Sequence, residues 1–173
     1  MKKLLLGLLM TLILSTGFGQ EFQVPDRTLE QKHNRAVFLA HALNIVGISA
    51  GKKSGMTVSE YADYCGDQFK VTWNKEAGFS GLVKGTLNNL ETLRRNQNPP
   101  IKIVEQTENK VVFDWKINFK GMFDNGPNNG VTYEEYLLWQ NNVGIKIAEY
   151  LGATYKQEVL DDDWLRITLV NGK

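Results

Sequence analysis

Two adjacent prolines, Pro99 and Pro100, divide this chain between two hydrophobic periods. Neither has a backbone N–H to donate, and the residue ahead of a proline is pushed out of the α region, so a helix arriving from the N-terminal side ends there. Ahead of them apolar residues recur every three or four positions. Behind them they alternate: Val111, Phe113, Trp115, Ile117 and Phe119 point one way, and Asp114, Lys116 and Asn118 the other. A chain that changes from period 3.6 to period 2 and back again must pack helices against a sheet.

The boundaries follow from capping chemistry. Thr28-Leu29-Glu30-Gln31 reads as a capping box opening a helix over 28–49, with Leu29, Ala36, Val37, Ala40, Leu43 and Val46 as its inward face. Gly51-Lys52-Lys53-Ser54-Gly55 is expected to break it. Thr57-x-x-Glu60 opens a second helix along which Val58, Ala62, Cys65, Phe69 and Trp73 share one face. A third helix, over 77–96, turns Leu82, Val83, Leu87, Leu90 and Leu93 inward, although Gly81 and Gly85 each cost about 1 kcal/mol relative to Ala. Ile101 and Ile103 begin a hairpin that turns at Thr107-Glu108-Asn109 and returns along Val111–Phe119 with one buried face. After a Gly/Asn-rich loop from Gly121 to Gly130, Thr132-x-x-Glu135 caps a helix carrying Tyr136, Leu137, Val143, Ile147, Ala148 and Leu151, which Gly152 ends. A second hairpin, Tyr155–Leu160 and Trp164–Val170, turns on Asp161-Asp162-Asp163. The expected fold is α+β: about four mostly antiparallel strands, in two hairpins, covered by amphipathic helices in the order α-α-α-β-β-α-β-β. Parallel pairing between the two hairpins remains open at this level.

The first nineteen residues read as a signal peptide. Lys2 and Lys3 precede an apolar run from Leu4 to Leu14, and Gly17 and Gly19 occupy the small-residue positions of a cleavage site before Gln20. The run is shorter than the roughly 20 residues that cross a bilayer, so no stable membrane insertion is expected after cleavage. The chain then divides into a signal peptide (1–19), an extended lead (20–27) and a single α+β domain (28–173), located in the periplasm or secreted. Cleavage removes two of the 20 basic residues and none of the 19 acidic ones, leaving 18 against 19. This balance gives no general attraction to nucleic acid phosphates. Cys65 is the only cysteine, so no internal disulfide forms, and a domain of this size can bury a core without one.

Few residues offer chemistry. Cys65 falls in the apolar stripe of its helix and reads as structural, since a reactive thiolate needs a polar or positive neighbour; His33 and His41 are the only imidazoles that could serve it. Glu30-x-x-His33 has the spacing of one half of a di-iron site but lacks its second copy, and His41 lies eight residues from His33 rather than four. From Asp124 to Glu135 the chain echoes a calcium loop, yet Gly126 and Asn129 stand where a ligand and a glycine belong, so a turn followed by a helix cap is the better reading. The three aspartates at 161–163 read as an exposed turn. No catalytic residue, metal or cofactor is expected. The richer signal is aromatic. Trp73, Phe119, Phe123, Tyr133, Tyr136 and Trp139 are the candidate walls of a helix–sheet cavity, beside the core Trp115, with Asn142 as its polar contact and Asn141, Asn88 and Arg94 as further suppliers. The Gly121–Gly130 loop is longer than usual and is expected to form the cavity's rim.

No G-x-S-x-G, phosphate loop or paired-cysteine motif occurs after residue 19. In element order, through Ile101–Phe119 and through Ile147-Ala-Glu-Tyr-Leu-Gly152 followed by Asp163-Trp-Leu-Arg-Ile-Thr-Leu169, the chain resembles the small-molecule domains that include 4-vinyl-reductase-like and aminothiazoline-carboxylate-hydrolase-like proteins. Members of that group often carry a cysteine after the hairpin, where this chain has Phe119-Lys120-Gly121. The resemblance implies a small-molecule site. The expected function is non-catalytic binding of a small, partly apolar molecule by an exported domain. One alternative is a small hydrolase or isomerase of the resembled group, marked by a convergent acid, base or thiol; another is a protein-interaction module, marked by a large exposed apolar patch.

Overall fold

The structure, a computed structural model, describes residues 25–160 and 163–172. The signal peptide, most of the extended lead, and Asp161 and Asp162 of the acidic turn lie outside the described residues. The elements are α1 (Leu29–Lys53), α2 (Val58–Lys70), α3 (Gly78–Leu93), β1 (Lys102–Gln106), β2 (Lys110–Lys116), α4 (Tyr133–Tyr150), β3 (Ala153–Val159) and β4 (Trp164–Asn171), with short 3-10 turns at Lys75–Ala77 and Lys120–Phe123. This is the α+β order read from the sequence. Capping boxes at Thr28/Gln31, Thr57/Glu60 and Thr132/Glu135 start α1, α2 and α4, each satisfying two of the N–H groups that a helix start leaves without partners.

The sheet runs β1-β2-β4-β3 and every pair is antiparallel, so the parallel alternative is closed. The hairpins join through β2 and β4, where Val111 faces Leu169, Phe113 faces Ile167 and Trp115 faces Leu165; all six side chains are buried. The two strands with the strongest apolar alternation thus take the centre, where both neighbours shield them. β4 returns beside β2 only because α4 carries the chain across the covered face, packing on both β3 and α2. On the open face Arg166 grips Asp114 with two hydrogen bonds of 2.8 and 3.0 Å, and the ammonium groups of Lys102 and Lys116 lie 4.2 and 5.9 Å from the Trp164 ring.

Several expectations change. β1 is an exposed edge strand with an irregularity between Ile103 and Glu105, so Ile103 is not buried and only β2 supplies the first hairpin's apolar face. α1 does not break at Gly51 but runs on to Lys53, ending where Gly55 takes φ +91°. Gly51 is there for closeness: a Cβ on it would stand 2.7 Å from the Tyr61 ring of α2. The inward face of α1 is also different. Val37, His41, Ile45 and Ile48 are buried, while Leu29, Ala36, Leu43 and Val46 are exposed. α3 ends at Leu93, short of the expected 96, because Arg94 adopts an extended backbone. In α2 the stripe holds for Val58, Ala62 and Cys65, but Phe69 is exposed and Trp73 lies beyond the helix, its ring over Gly85 of α3. The loop after β2 is partly a 3-10 turn that buries Phe123.

Gly66 sets the spacing of α2 and α4, since a Cβ on it would lie 2.6 Å from the Cβ of Lys146. That contact is with the root of a side chain, which cannot swing aside. Gly66→Ala is expected to push the helices apart and destabilise the fold by about 1–3 kcal/mol, the usual cost of overpacking, despite alanine's better helix propensity. Urea unfolding measures this, and an unchanged or raised midpoint would contradict the close approach.

Candidate functional site

A cleft of about 460 Å³ opens between α1, α3 and α4, within the ordinary range of small-molecule sites. Each wall is one helix face. Tyr136, Gln140, Val143, Gly144 and Ile147 fall on one side of α4, and Leu82, Thr86, Asn89, Leu90 and Leu93 on one side of α3. His41 and Asn44 come from α1, Phe69, Thr72 and Trp73 from the end of α2, and Tyr155 from β3. Two glycines shape the walls. The Tyr155 ring lies where a Cβ on Gly144 would be, 2.7 Å away, and Trp73 lies over Gly85 at 2.2 Å by the same measure.

The floor is a buried polar chain. Asn44 Nδ2 donates to the Tyr136 hydroxyl at 3.4 Å, leaving the hydroxyl proton for His41 Nδ1 at 2.7 Å. The other ring nitrogen, Nε2, and the Oδ1 of Asn118 are both buried with no hydrogen bond formed, while the Asn118 amide donates to the carbonyl of Leu93. Burial lowers the His41 pKa to about 4; Asn118 opposes the shift and the positive charge of Arg95 adds to it, so the ring is neutral at pH 7. Burial likewise pushes the Tyr136 hydroxyl up to about 12. No Asp, Glu, Lys or Arg lines the cleft. Among its lining residues, Trp139 Nε1 and Gln140 Oε1 are a buried donor and a buried acceptor without partners.

The structure brings Trp73, Tyr136 and Trp139 together on this cleft. Phe119, Phe123 and Tyr133 pack behind it rather than lining it. The Phe119 ring centroid is 4.7 Å from that of Tyr136, and Phe123 lies 5.8 Å from Tyr133, so these rings support the floor from the core side. Asn142 turns toward α2, donating to Ser59 Oγ at 3.3 Å, and Asn141 donates to Asn142. Arg94 is held by Glu91 and by the carbonyl of Asn98. The Gly121–Gly130 loop contributes nothing to the lining. Cys65 is buried away from the cleft, next to Tyr61, and His33 donates from Nε2 to the carbonyl of Arg94. Glu135, the last position of the calcium-like stretch, is occupied twice over: it accepts from Lys52 Nζ at 2.6 and 2.8 Å and from the Thr132 amide. Among the described residues no cluster of three or more His, Cys, Asp or Glu could hold a metal. His41, Asn44, Thr86, Asn89 and Gln140 were not anticipated. For His41 a signal existed, since Val37, His41, Ile45 and Ile48 make an unbroken helical stripe in which the histidine is the one polar member.

Comparisons with protein-family models, with curated proteins and with solved structures return no match.

The depressed pKa of His41 ties stability to pH. Between about 4 and 6.5 the unfolded ring carries a proton that the folded ring does not, so this contribution is complete above pH 6.5 and is lost as pH falls toward 4. The size of the shift corresponds to a loss on the order of 3 kcal/mol. Chemical denaturation at pH 7 and pH 5 is expected to show wild type losing clearly more stability than His41→Gln; parallel losses would mean that the folded ring titrates normally.

Proposed function

We propose that this chain is an exported domain that binds an uncharged, largely apolar small molecule in the cleft between α1, α3 and α4, without transforming it. One observation carries the reading: aromatic rings and neutral amide and hydroxyl groups line the cleft, and none of its groups is charged at neutral pH. An ionised ligand would give up water there and meet no counter-charge, which makes its burial unfavourable. An apolar molecule with one hydrogen-bond acceptor and one donor suits the cleft better, because Trp139 Nε1 and Gln140 Oε1 both lack partners.

Turnover has little support in the same geometry. The imidazole at the floor already accepts the Tyr136 proton at Nδ1, and burial keeps it from becoming an acid near pH 7. The single thiol, Cys65, lies outside the cleft. Export rests on the leader, with Lys2-Lys3, the Leu4–Leu14 run and the Gly17/Gly19 junction. It is compatible with the remainder of the chain, in which no helix among the described residues is long and apolar enough to cross a membrane.

The neutral dye N-phenyl-1-naphthylamine tests the ligand class. Saturable binding of one dye per chain is expected, with the anionic analogue 1-anilinonaphthalene-8-sulfonate binding at least tenfold more weakly. Thr86→Trp, which places a bulky ring in the cleft from α3, should abolish binding while leaving the unfolding midpoint within error, and binding that survives this substitution would move the site elsewhere. Native mass spectrometry of protein taken from its own envelope fraction is expected to show a retained neutral adduct. For export, N-terminal sequencing of the processed chain should begin at or near Gln20; retention of Met1 on an envelope-embedded species would refute soluble export.

A further inference from the structure

The residues that periodicity first marks as the inner face of α1 are the ones the fold leaves outside. Leu29, Leu39, Leu43 and Val46 are 84, 45, 70 and 53% exposed, and Ala36 and Ala50 are exposed beside them. On a helix of 3.6 residues per turn this row lies opposite the buried row Val37, His41, Ile45 and Ile48. Its spacing is regular. From Leu29 through Lys32, Ala36, Leu39, Leu43, Val46 and Ala50 to Lys53 the steps alternate three and four residues, the seven-residue repeat of a helix that packs along another helix. The flanking positions nearest the middle are Ala40, Ala42 and Gly47, so the row is a narrow seam rather than the broad apolar face of a helix lying on lipid.

We infer that this seam joins α1 to the α1 of a second copy of this chain, antiparallel, about a two-fold axis midway between Leu39 and Leu43. In that register Leu39 meets the partner's Leu43, Ala36 meets the partner's Val46, and Lys32 meets the partner's Ala50, so that large faces large at the centre and small faces branched beside it. At the ends Leu29 lies on the stem of the partner's Lys53, and Glu30 stands next to that lysine's ammonium. Glu30 and Lys53 are both exposed, and neither forms an ion pair among the described residues. A parallel pair would instead stack Lys32, Arg35 and Lys53 on their own copies and align the two helix dipoles, both unfavourable. The contact is self-complementary, as a two-fold interface requires. It leaves the cleft open, because the cleft uses His41 and Asn44 on other sides of α1.

Sedimentation equilibrium of the purified full domain at tens of micromolar is expected to give twice the chain mass. Leu43→Glu, at a fully accessible position, should return it to the monomer with its circular dichroism and unfolding midpoint retained; a dimer that survives this substitution overturns the proposal, as does a monomeric wild type. Glu30→Lys should weaken association at least tenfold, and Glu30→Lys combined with Lys53→Glu should restore it; failure of the restoration overturns the register. Mixing Ala36→Cys and Val46→Cys chains under oxidising conditions should give the mixed disulfide in preference to either symmetric one, whereas a dominant Ala36→Cys homodimer would establish parallel pairing. Monomeric protein that co-floats with neutral phosphatidylcholine vesicles, and loses this with Leu43→Glu, would assign the seam to a lipid surface instead.

Discussion

The Tyr136–His41 hydrogen bond is the joint on which the other parts bear. Tyr136 sits in the first turn of α4, fully buried, where its ring touches those of Phe119, Phe123 and Trp139 and its hydroxyl reaches α1. A phenol and an imidazole buried together are tolerable only if each satisfies the other, and burial keeps both neutral. This one contact selects which face of α1 meets the core. It also sets how α4 starts across the sheet, and through Phe119 it fastens the end of the first hairpin beneath the helices.

Seating α4 in this way has two consequences for the surface. Between α1, α3 and α4 the helices diverge enough to leave a cleft, because the space that side chains might fill is given over to Gly144 and Gly85, each under an aromatic ring. The cleft inherits the neutrality of its floor. On the far side of α1, the choice of the His41 face leaves a second apolar row in solvent. Two apolar rows on one helix exceed what a monomeric domain of this size can cover, and the reading of that row as a copy-to-copy seam follows from its spacing and its end charges.

Much of the fold was legible before the structure. Threonine caps three residues ahead of Gln31, Glu60 and Glu135 located three helix starts to the residue, since the capping box is a local arrangement that needs no tertiary partner. The alternation from Val111 to Trp115 and from Leu165 to Leu169 announced buried strands because side chains one residue apart cannot share a face. Less of the site was legible. Trp73, Tyr136 and Trp139 were found by type, but Phe119, Phe123 and Tyr133 are of the same type and support the core, and nothing local separates a ring that walls a cleft from one that stands behind it. Asn142 was singled out for its poor helix propensity, and its partner proved to be Ser59 across the α2–α4 contact rather than a ligand.

Local chemistry therefore determined where elements begin, which type each is, and that helices must cover a sheet. Caps, prolines and side-chain periods act within a few residues, so they survive in the linear chain. The order β1-β2-β4-β3, the exposure of β1, the identity of the buried face on α1 and the neutral floor under the cleft were decided only in three dimensions. Each depends on a contact between residues far apart in sequence, such as Phe113 with Ile167 or His41 with Tyr136. α1 shows the division most plainly. Its sequence offers two apolar rows of similar strength, and the choice between them fell to the one whose histidine found a buried hydroxyl on another helix.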